Sequence, residues 1–470
     1  MIQSAFKIVS VILISGIACA LEADTTAAPQ KLTLEACIQM ALEKHQALQV
    51  SAANVAMAEA MYRQAMSAYW PSIKAEVDAQ RSDQDRTFSV QGQFELPNDV
   101  AQLLQLGLAK PVGTIPLNMN VKLFDRDVIA SSLNLTYPLF TGLKREALVA
   151  QTEKAIQIAE QGQRKTNLEV VRDVKKYFYA AQFAQQMEQL TSDTLERFQA
   201  LEDLTERLFQ NGSLKVKKTD YLRSKTTTAL TRTVLSEARY ALEMAHEALG
   251  NAMGQAWDEH FVLAEPSETT PLNESLQALV ETAQSFNPEL QQLRLAVQIS
   301  DDQITEAQSG YYPMIGFHAS AYNVQNDYKS GLTNKANRDG WTIGIGMQWQ
   351  LFDGFLTAGK VDQAKAQQRK LESQQVLLDQ AIALQVKQQF LSIKTANTQT
   401  KDSQNAANFA SENRKLHMRA YQDELVETKD VIEAQVVETF AQGAHFRSQY
   451  ALEMGLLSLE YLIGQHVQPL

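Results

Sequence analysis

Two stretches decide how this chain folds: Thr136-Tyr137-Pro138-Leu139-Phe140-Thr141-Gly142 and Gln348-Trp349-Gln350-Leu351-Phe352-Asp353-Gly354. Each ends on a glycine and opens a long run without proline. They match position for position, and the match extends in both directions. Upstream, Ala65-Met66-Ser67-Ala68-Tyr69-Trp70-Pro71-Ser72-Ile73 aligns with Ala307-Gln308-Ser309-Gly310-Tyr311-Tyr312-Pro313-Met314-Ile315, and His45 and Leu48 fall against Asn287 and Leu290 without a gap. Downstream, Val216-Lys217-Lys218-Thr219-Asp220-Tyr221-Leu222 aligns with Val426-Glu427-Thr428-Lys429-Asp430-Val431-Ile432. The order is the same in both halves, so the chain is an internal duplication. Between Arg81 and Ser132 the first copy carries an insertion of about 30 residues.

Each half reads as helix, strand, loop, strand, long helix, turn, helix. The strands keep a period of two. Ile73, Ala75, Val77 and Ala79 alternate with Lys74, Glu76, Asp78 and Gln80; Leu133, Leu135 and Tyr137 alternate with Asn134 and Thr136. In the second half, Ile315, Phe317, Ala319 and Ala321 mark a third strand and Trp341 to Trp349 a fourth. Trp341 and Trp349 share a face and stand roughly 26 Å apart at about 3.3 Å per residue, close to the apolar band between the aromatic girdles of an outer-membrane barrel. Alternation alone also fits a soluble sandwich strand with two core tryptophans.

The helices separate these readings. Lys144 to Gln210 contains no proline and one glycine, Gly162, so one helix there extends about 100 Å at 1.5 Å per residue. A compact domain has no use for that length. Met187, Leu190, Leu195, Phe198, Leu201, Leu204 and Leu208 recur at a spacing suited to a narrow coiled-coil seam. Its expected partner runs from Lys217 to Gly250 after the turn Gln210-Asn211-Gly212-Ser213, with Gly212 suited to a helix C-cap. The second hairpin spans Leu356 to Ala420, a turn near Tyr421 to Leu425, and Val426 to Ile463. Glu424 stands where the first copy has Gly212, which predicts different turn geometry at the two tips.

The 470 residues carry 43 Lys plus Arg against 54 Asp plus Glu, a net charge of −11, which opposes nucleic acid as a partner. Lys7, the apolar run Ile8 to Ile17 and Ala18-Cys19-Ala20 read as a secretory signal over residues 1–20. A lipid-bearing Cys19 would call for Leu where Gly16 stands and Ser or Ala where Ile17 stands. The two repeats then occupy residues 21–271 and 272–470. Cys37 reads as a small buried hydrophobe, and the seven histidines show no metal-ligand spacing. Gly344-Ile345-Gly346 lacks a third glycine and sits in a strand, so no dinucleotide or other cofactor is expected, and no catalytic set is visible. The mature chain has no apolar stretch long enough for a transmembrane helix, so contact with a membrane must be made by strands. Four strands cannot close a barrel, and open edges cannot face lipid. If these are membrane strands, several chains must share one barrel: two give eight strands with an interior filled by side chains, and three give twelve with a lumen. The segment from Val324 to Gly340 and the insertion after Arg81 would lie at the outer mouth.

These motifs, duplicated and in order from about Leu32 to Gly464, resemble the TolC family of outer-membrane efflux proteins. The resemblance implies a mainly α-helical, duplicated fold whose four strands per chain form a shared twelve-stranded barrel in a homotrimer. It implies a helical tunnel in the periplasm, a belt drawing on Asn251 to Leu272 and the chain ends, and docking to a periplasmic adaptor and an inner-membrane transporter, as in efflux or type I secretion. The channel would be passive. A periplasmic coiled-coil scaffold is the alternative, although it has no need of the four strands.

In such a tunnel, acids at the helical tips repeat once per chain as rings that can gate the mouth and favour cations. The gate candidates are Asp203, Asp220, Glu412, Asp423, Glu424, Glu427 and Asp430; solvated helix-end charges explain the same residues more plainly. The expected adaptor-docking turns are Asn211, Gly212, Ser213 and Leu214, and Tyr421, Leu425 and Val426. Trp341 and Trp349 are the expected membrane-interface aromatics.

Overall fold

Lys144–Gln210 and Leu356–Gln422 are unbroken helices of 67 residues each in the computed structural model of the protein, which describes residues 31–95, 114–213, 215–255, 261–264, 274–325 and 338–464. The elements run β1 (Lys31–Leu32), α1 (Leu34–Lys44), α2 (Gln46–Met66), β2 (Ser72–Arg81), β3 (Arg86–Glu95), β4 (Thr114–Phe124), β5 (Asp127–Phe140), α3 (Lys144–Gln210) and α4 (Lys218–Ala252). The second half continues with β6 (Val262–Leu263), α5 (Leu276–Phe286), α6 (Pro288–Gln308), β7 (Met314–Gln325), β8 (Asp339–Gln348), α7 (Leu356–Gln422) and α8 (Thr428–Ile463).

The duplication holds at the level of single caps. His45 and Asn287 both break a helix pair with extended backbone, at φ −68, ψ 123 and φ −62, ψ 122. His45 Nδ1 accepts from the Ala47 N–H at 3.2 Å, and Asn287 Oδ1 from the N–H groups of Glu289 and Leu290, each satisfying orphan donors of the helix that follows. Thr33 and Ser275 cap α1 and α5 in the same way.

Each repeat then buries its own core where the short helices lie on the long one. Cys37, Ile38 and Ala41 meet Val170, Val174, Phe178 and Leu249. Leu279, Ala283 and Leu290 meet Ile382, Val386, Ile393 and Leu459. Beside the first core β1 pairs in parallel with β6, within the expected belt. A third cluster, Phe198, Leu201, Tyr421 and Val431, joins the halves near the tips. It uses the coiled-coil seam read from the sequence: Leu190, Leu195, Phe198 and Leu201 are buried.

β2, β5, β7 and β8 form one antiparallel sheet in that order. The insertion differs from the long outer loop expected: β3 and β4 pair with each other as a separate two-stranded sheet. Alternating residues on both arms make that pairing possible, since each arm keeps its own period of two. Residues 326–337 of the second expected outer loop, and the signal segment, lie outside the described residues.

The expectation of unlike tips is overturned. Asn211, Gly212 and Ser213 donate to the carbonyls of Arg207, Phe209 and Leu208; Asp423, Glu424 and Leu425 donate to those of Arg419, Tyr421 and Ala420. Both helices end in the same left-handed cap, with Gly212 at φ 75 and Glu424 at φ 54. The hydrogen-bond gain of the closed turn outweighs the strain of an L residue there, which is about 1 kcal/mol.

Candidate pore wall and helical mouth

Sheet register sorts the strand residues into two faces. Ile73, Leu135, Ala319 and Ile343 lie side by side across the four strands, as do Ala75, Leu133, Ala321 and Trp341. The row between them is Lys74, Asn134, Ser320 and Thr342, and the next polar row holds Thr136, His318 and Gly344. Over these rows one face is apolar, giving way to Ser131, Asn323 and Asp339 beside Val77 in the row beyond Trp341, and the other is polar with a lysine and carboxylates. Asn134 Nδ2 donates to Glu76 Oε2 at 3.3 Å, and Lys74 pairs with Glu76. A Cβ at Gly344 would stand 2.6 Å from the His318 ring, so that glycine gives the ring its place on the polar face.

Ile73, Val77, Ile345 and Met347 are each more than 60% exposed in the single chain, which is the wrong side of a water-facing sheet and the right side of a lipid-facing one. Trp341 is 75% exposed on that face. Trp349, just beyond the end of β8, donates its indole N–H to the Tyr311 carbonyl at 3.1 Å, which fixes one ring edge while the rest stays open.

Below the sheet, both strands turn into the long helices through a pair of left-handed residues, Gly142-Leu143 and Gly354-Phe355. Gly142 is required, because a Cβ would meet the Ser309 carbonyl at 2.8 Å. Asp353 then caps α7: its carboxylate accepts from the Thr357 N–H at 2.8 Å and the Thr357 hydroxyl at 2.5 Å, and these bonds hold its pKa below the ordinary carboxylate value. The left-handed Leu143 and Phe355 escaped the reading of the sequence. Their signal is a Gly-apolar pair at the same place in both copies.

At the far end the two tips touch. Lys215 Nζ donates to the Glu424 carbonyl at 2.7 Å, and Ser213 Oγ to the Glu424 carboxylate at 3.3 Å. Asp220 and Asp430 both occupy the third position of their helices and accept from the N–H of Lys217 and Glu427, each at 3.0 Å. Their carboxylates therefore close helix starts. Asp203, Glu412, Asp423 and Glu427 are exposed; Glu427 pairs with Lys429 at 3.3 Å. Asn211, Gly212 and Leu425 are exposed turn residues and Ser213 is half-buried, while Leu214 lies outside the described residues. Tyr421 departs from the expected exposed turn. It is 2% exposed, and its hydroxyl bridges Thr205 and Thr428 at 3.0 Å each. Val426 packs on the same cluster. An aromatic ring with two hydroxyl partners is better satisfied inside the helix junction than in water.

A further group went unread in the sequence. Glu438, 1% exposed, faces Arg414 at 2.7 Å and Arg197 at 3.1 Å. It ties α3, α7 and α8 together.

A duplicated chain with one amphipathic four-stranded sheet and two helical hairpins of this length has close counterparts. The profile of the outer membrane efflux protein family matches residues 37–255 and again 279–465. The chain belongs to that family. The outer membrane protein TolC of Vibrio cholerae is 23% identical over 308 residues, covering 64% of this chain and 69% of that protein. The solved structure of CusC superposes with a TM-score of 0.74 at 16% identity, covering 93% of each chain. That of VceC from Vibrio cholerae superposes at 0.72 and 16% identity, covering 93% of this chain and 97% of VceC. The fold is thus the TolC-like one, and the family is one of outer-membrane channels. No helix among the described residues is long and apolar enough to cross a membrane.

Proposed function

We propose that three copies of this chain close a twelve-stranded barrel in the outer membrane and form a passive channel-tunnel. Its helices project into the periplasm, where a periplasmic adaptor and an inner-membrane transporter supply cargo and energy. The observation that carries this reading is the four-stranded sheet with one apolar face and two open edges, β2 and β8. Unpaired backbone at a lipid-facing edge costs several kcal/mol per group, and pairing β8 of one copy with β2 of the next removes both edges at once. A scaffold without a pore would leave these edges, and the exposed apolar rows beside them, without a partner.

The tips supply the periplasmic entrance. Asp203, Asp220, Glu412, Asp423, Glu424, Glu427 and Asp430 are the acids placed to ring it, and Asn211, Gly212, Ser213 and Leu425 the turn residues placed to meet an adaptor. The cargo class is small molecules or proteins.

Conductance of the purified protein in planar bilayers, alongside its native mass in detergent, tests the reading. A trimer mass with discrete conductance steps is expected. A folded monomer without conductance would defeat it.

A further inference from the structure

The insertion builds a ribbon that the channel reading leaves unused. β3 and β4 pair with each other and share a sheet with no other described element. Their join to the main sheet is tied down: the Arg126 N–H donates to Asp85 Oδ1 at 2.8 Å, and Lys122 Nζ stands 2.9 Å from Asp85 Oδ2 and pairs with the buried Asp125. The ribbon is thus a held extension of the β2–β5 hairpin. β2 has ten residues; at about 3.4 Å per residue and a tilt near 40° it rises roughly 26 Å, which already fills an apolar band of about 25 Å. On the membrane reading above, the ribbon therefore stands beyond the band, in water.

A two-stranded ribbon alone in water is marginal at best. This one is sided. Phe88, Val90 and, across from Val90, Met119 share one face, and Ser89, Gln91, Asn118 and Asn120 the other. Phe88 is 53% and Met119 45% exposed in the single chain. What can cover them follows from position. β3 continues from β2, and β2 is an open edge of the four-stranded sheet. Where another copy closes that edge, the ribbon rises directly at the seam between the two chains.

We propose that the Phe88, Val90 and Met119 face of the ribbon packs against a neighbouring copy of this chain, so that three ribbons form an apolar collar around the outer mouth. The contact is head-to-tail around a threefold axis, one patch meeting a different patch of the next copy. It rests on the trimeric reading, and its test separates the two.

The photoreactive residue p-benzoylphenylalanine, placed at Phe88 and in a second variant at Met119, reports what touches the face in intact cells. Ser89 on the opposite face serves as the control position. The expected result is covalent dimers and trimers of the chain from both positions, with little from Ser89, and with adducts mapped to an isotopically distinct copy. Adducts confined to lipid or lipopolysaccharide, adducts within the same copy, or none at either position would overturn the collar. Native mass of the same preparations is read in parallel. A trimer without cross-links removes the collar and leaves the channel reading standing, whereas loss of the trimer removes both.

Discussion

Glu424 sits at φ 54 where the equivalent Gly212 sits at φ 75, and a Cβ in that region costs about 1 kcal/mol. Glu424→Gly is therefore expected to stabilise the protein by roughly 0.5 to 1 kcal/mol, and Gly212→Ala to destabilise it by a similar amount. Urea unfolding followed by the far-ultraviolet helix signal checks both. A lower midpoint for Glu424→Gly would mean that the carboxylate bond to Ser213 outweighs the backbone strain. The glutamate was plain in the sequence, but its conformation was not, because the turn is dictated by the carbonyls it must satisfy and not by the residue that happens to fill it. Cys37 is the opposite case, legible as a buried small hydrophobe from its helical neighbours alone. Burial pushes its thiol up to about 11, so almost no thiolate exists at pH 8, and thiolate is the reactive form. Iodoacetamide at pH 8 should leave Cys37 unlabelled in the folded protein and label it fully in urea, as read by intact mass.

At the scale of the helices, the long hairpins were readable from missing prolines and seam spacing, yet the ties that set their packing were not. Glu438 belongs to α8, Arg414 to α7 and Arg197 to α3, and no spacing in the sequence brings three helices to one carboxylate. Removing that carboxylate leaves two guanidinium groups without their shared partner, so Glu438→Ala should cost about 3 kcal/mol. Glu438→Gln should cost less, because it keeps the shape and an acceptor. Equal midpoints for the two variants in urea would show that charge contributes little there. Higher along the same helix pair, His445 lies against Ser403 at 3.4 Å, and burial holds its pKa below the ordinary 6.5. The unfolded chain then binds the proton more readily than the folded one. Stability should fall as pH drops through 6.5 toward the folded value, and His445→Gln should flatten that slope. Hydrogen exchange of α7 and α8 between pH 7.5 and 5.5 reads it directly.

For the whole molecule, duplication and two-sided strands made the fold legible, whereas the proposed mouth rests on how copies would meet and was legible only as a set of acids. The structure gives two of them a second task. Asp220 and Asp430 close the first turns of α4 and α8, so replacing them with alanine would remove a cap worth about 1 kcal/mol along with the charge, and a changed channel could then reflect a frayed tip. Asparagine separates the two, since its amide oxygen still accepts the backbone N–H while the charge is gone. If the proposed trimer brings these residues to a common mouth, each position contributes three carboxylates, and their mutual field favours cations within about one Debye length, roughly 10 Å at 0.1 M salt. The Asp220→Asn, Asp430→Asn double variant should therefore keep its thermal midpoint and lose cation preference, moving the reversal potential in a salt gradient toward zero. The shift should be largest at low salt and shrink as salt rises, because screening removes the same field that the substitution removes. An unchanged reversal potential with an intact fold would confine both aspartates to capping and leave selectivity to the exposed acids Asp203, Glu412, Asp423 and Glu427, or to Glu424. A lost midpoint would show that the amide fails as a cap, and the charge would then have to be tested at those exposed positions, where no helix end depends on it.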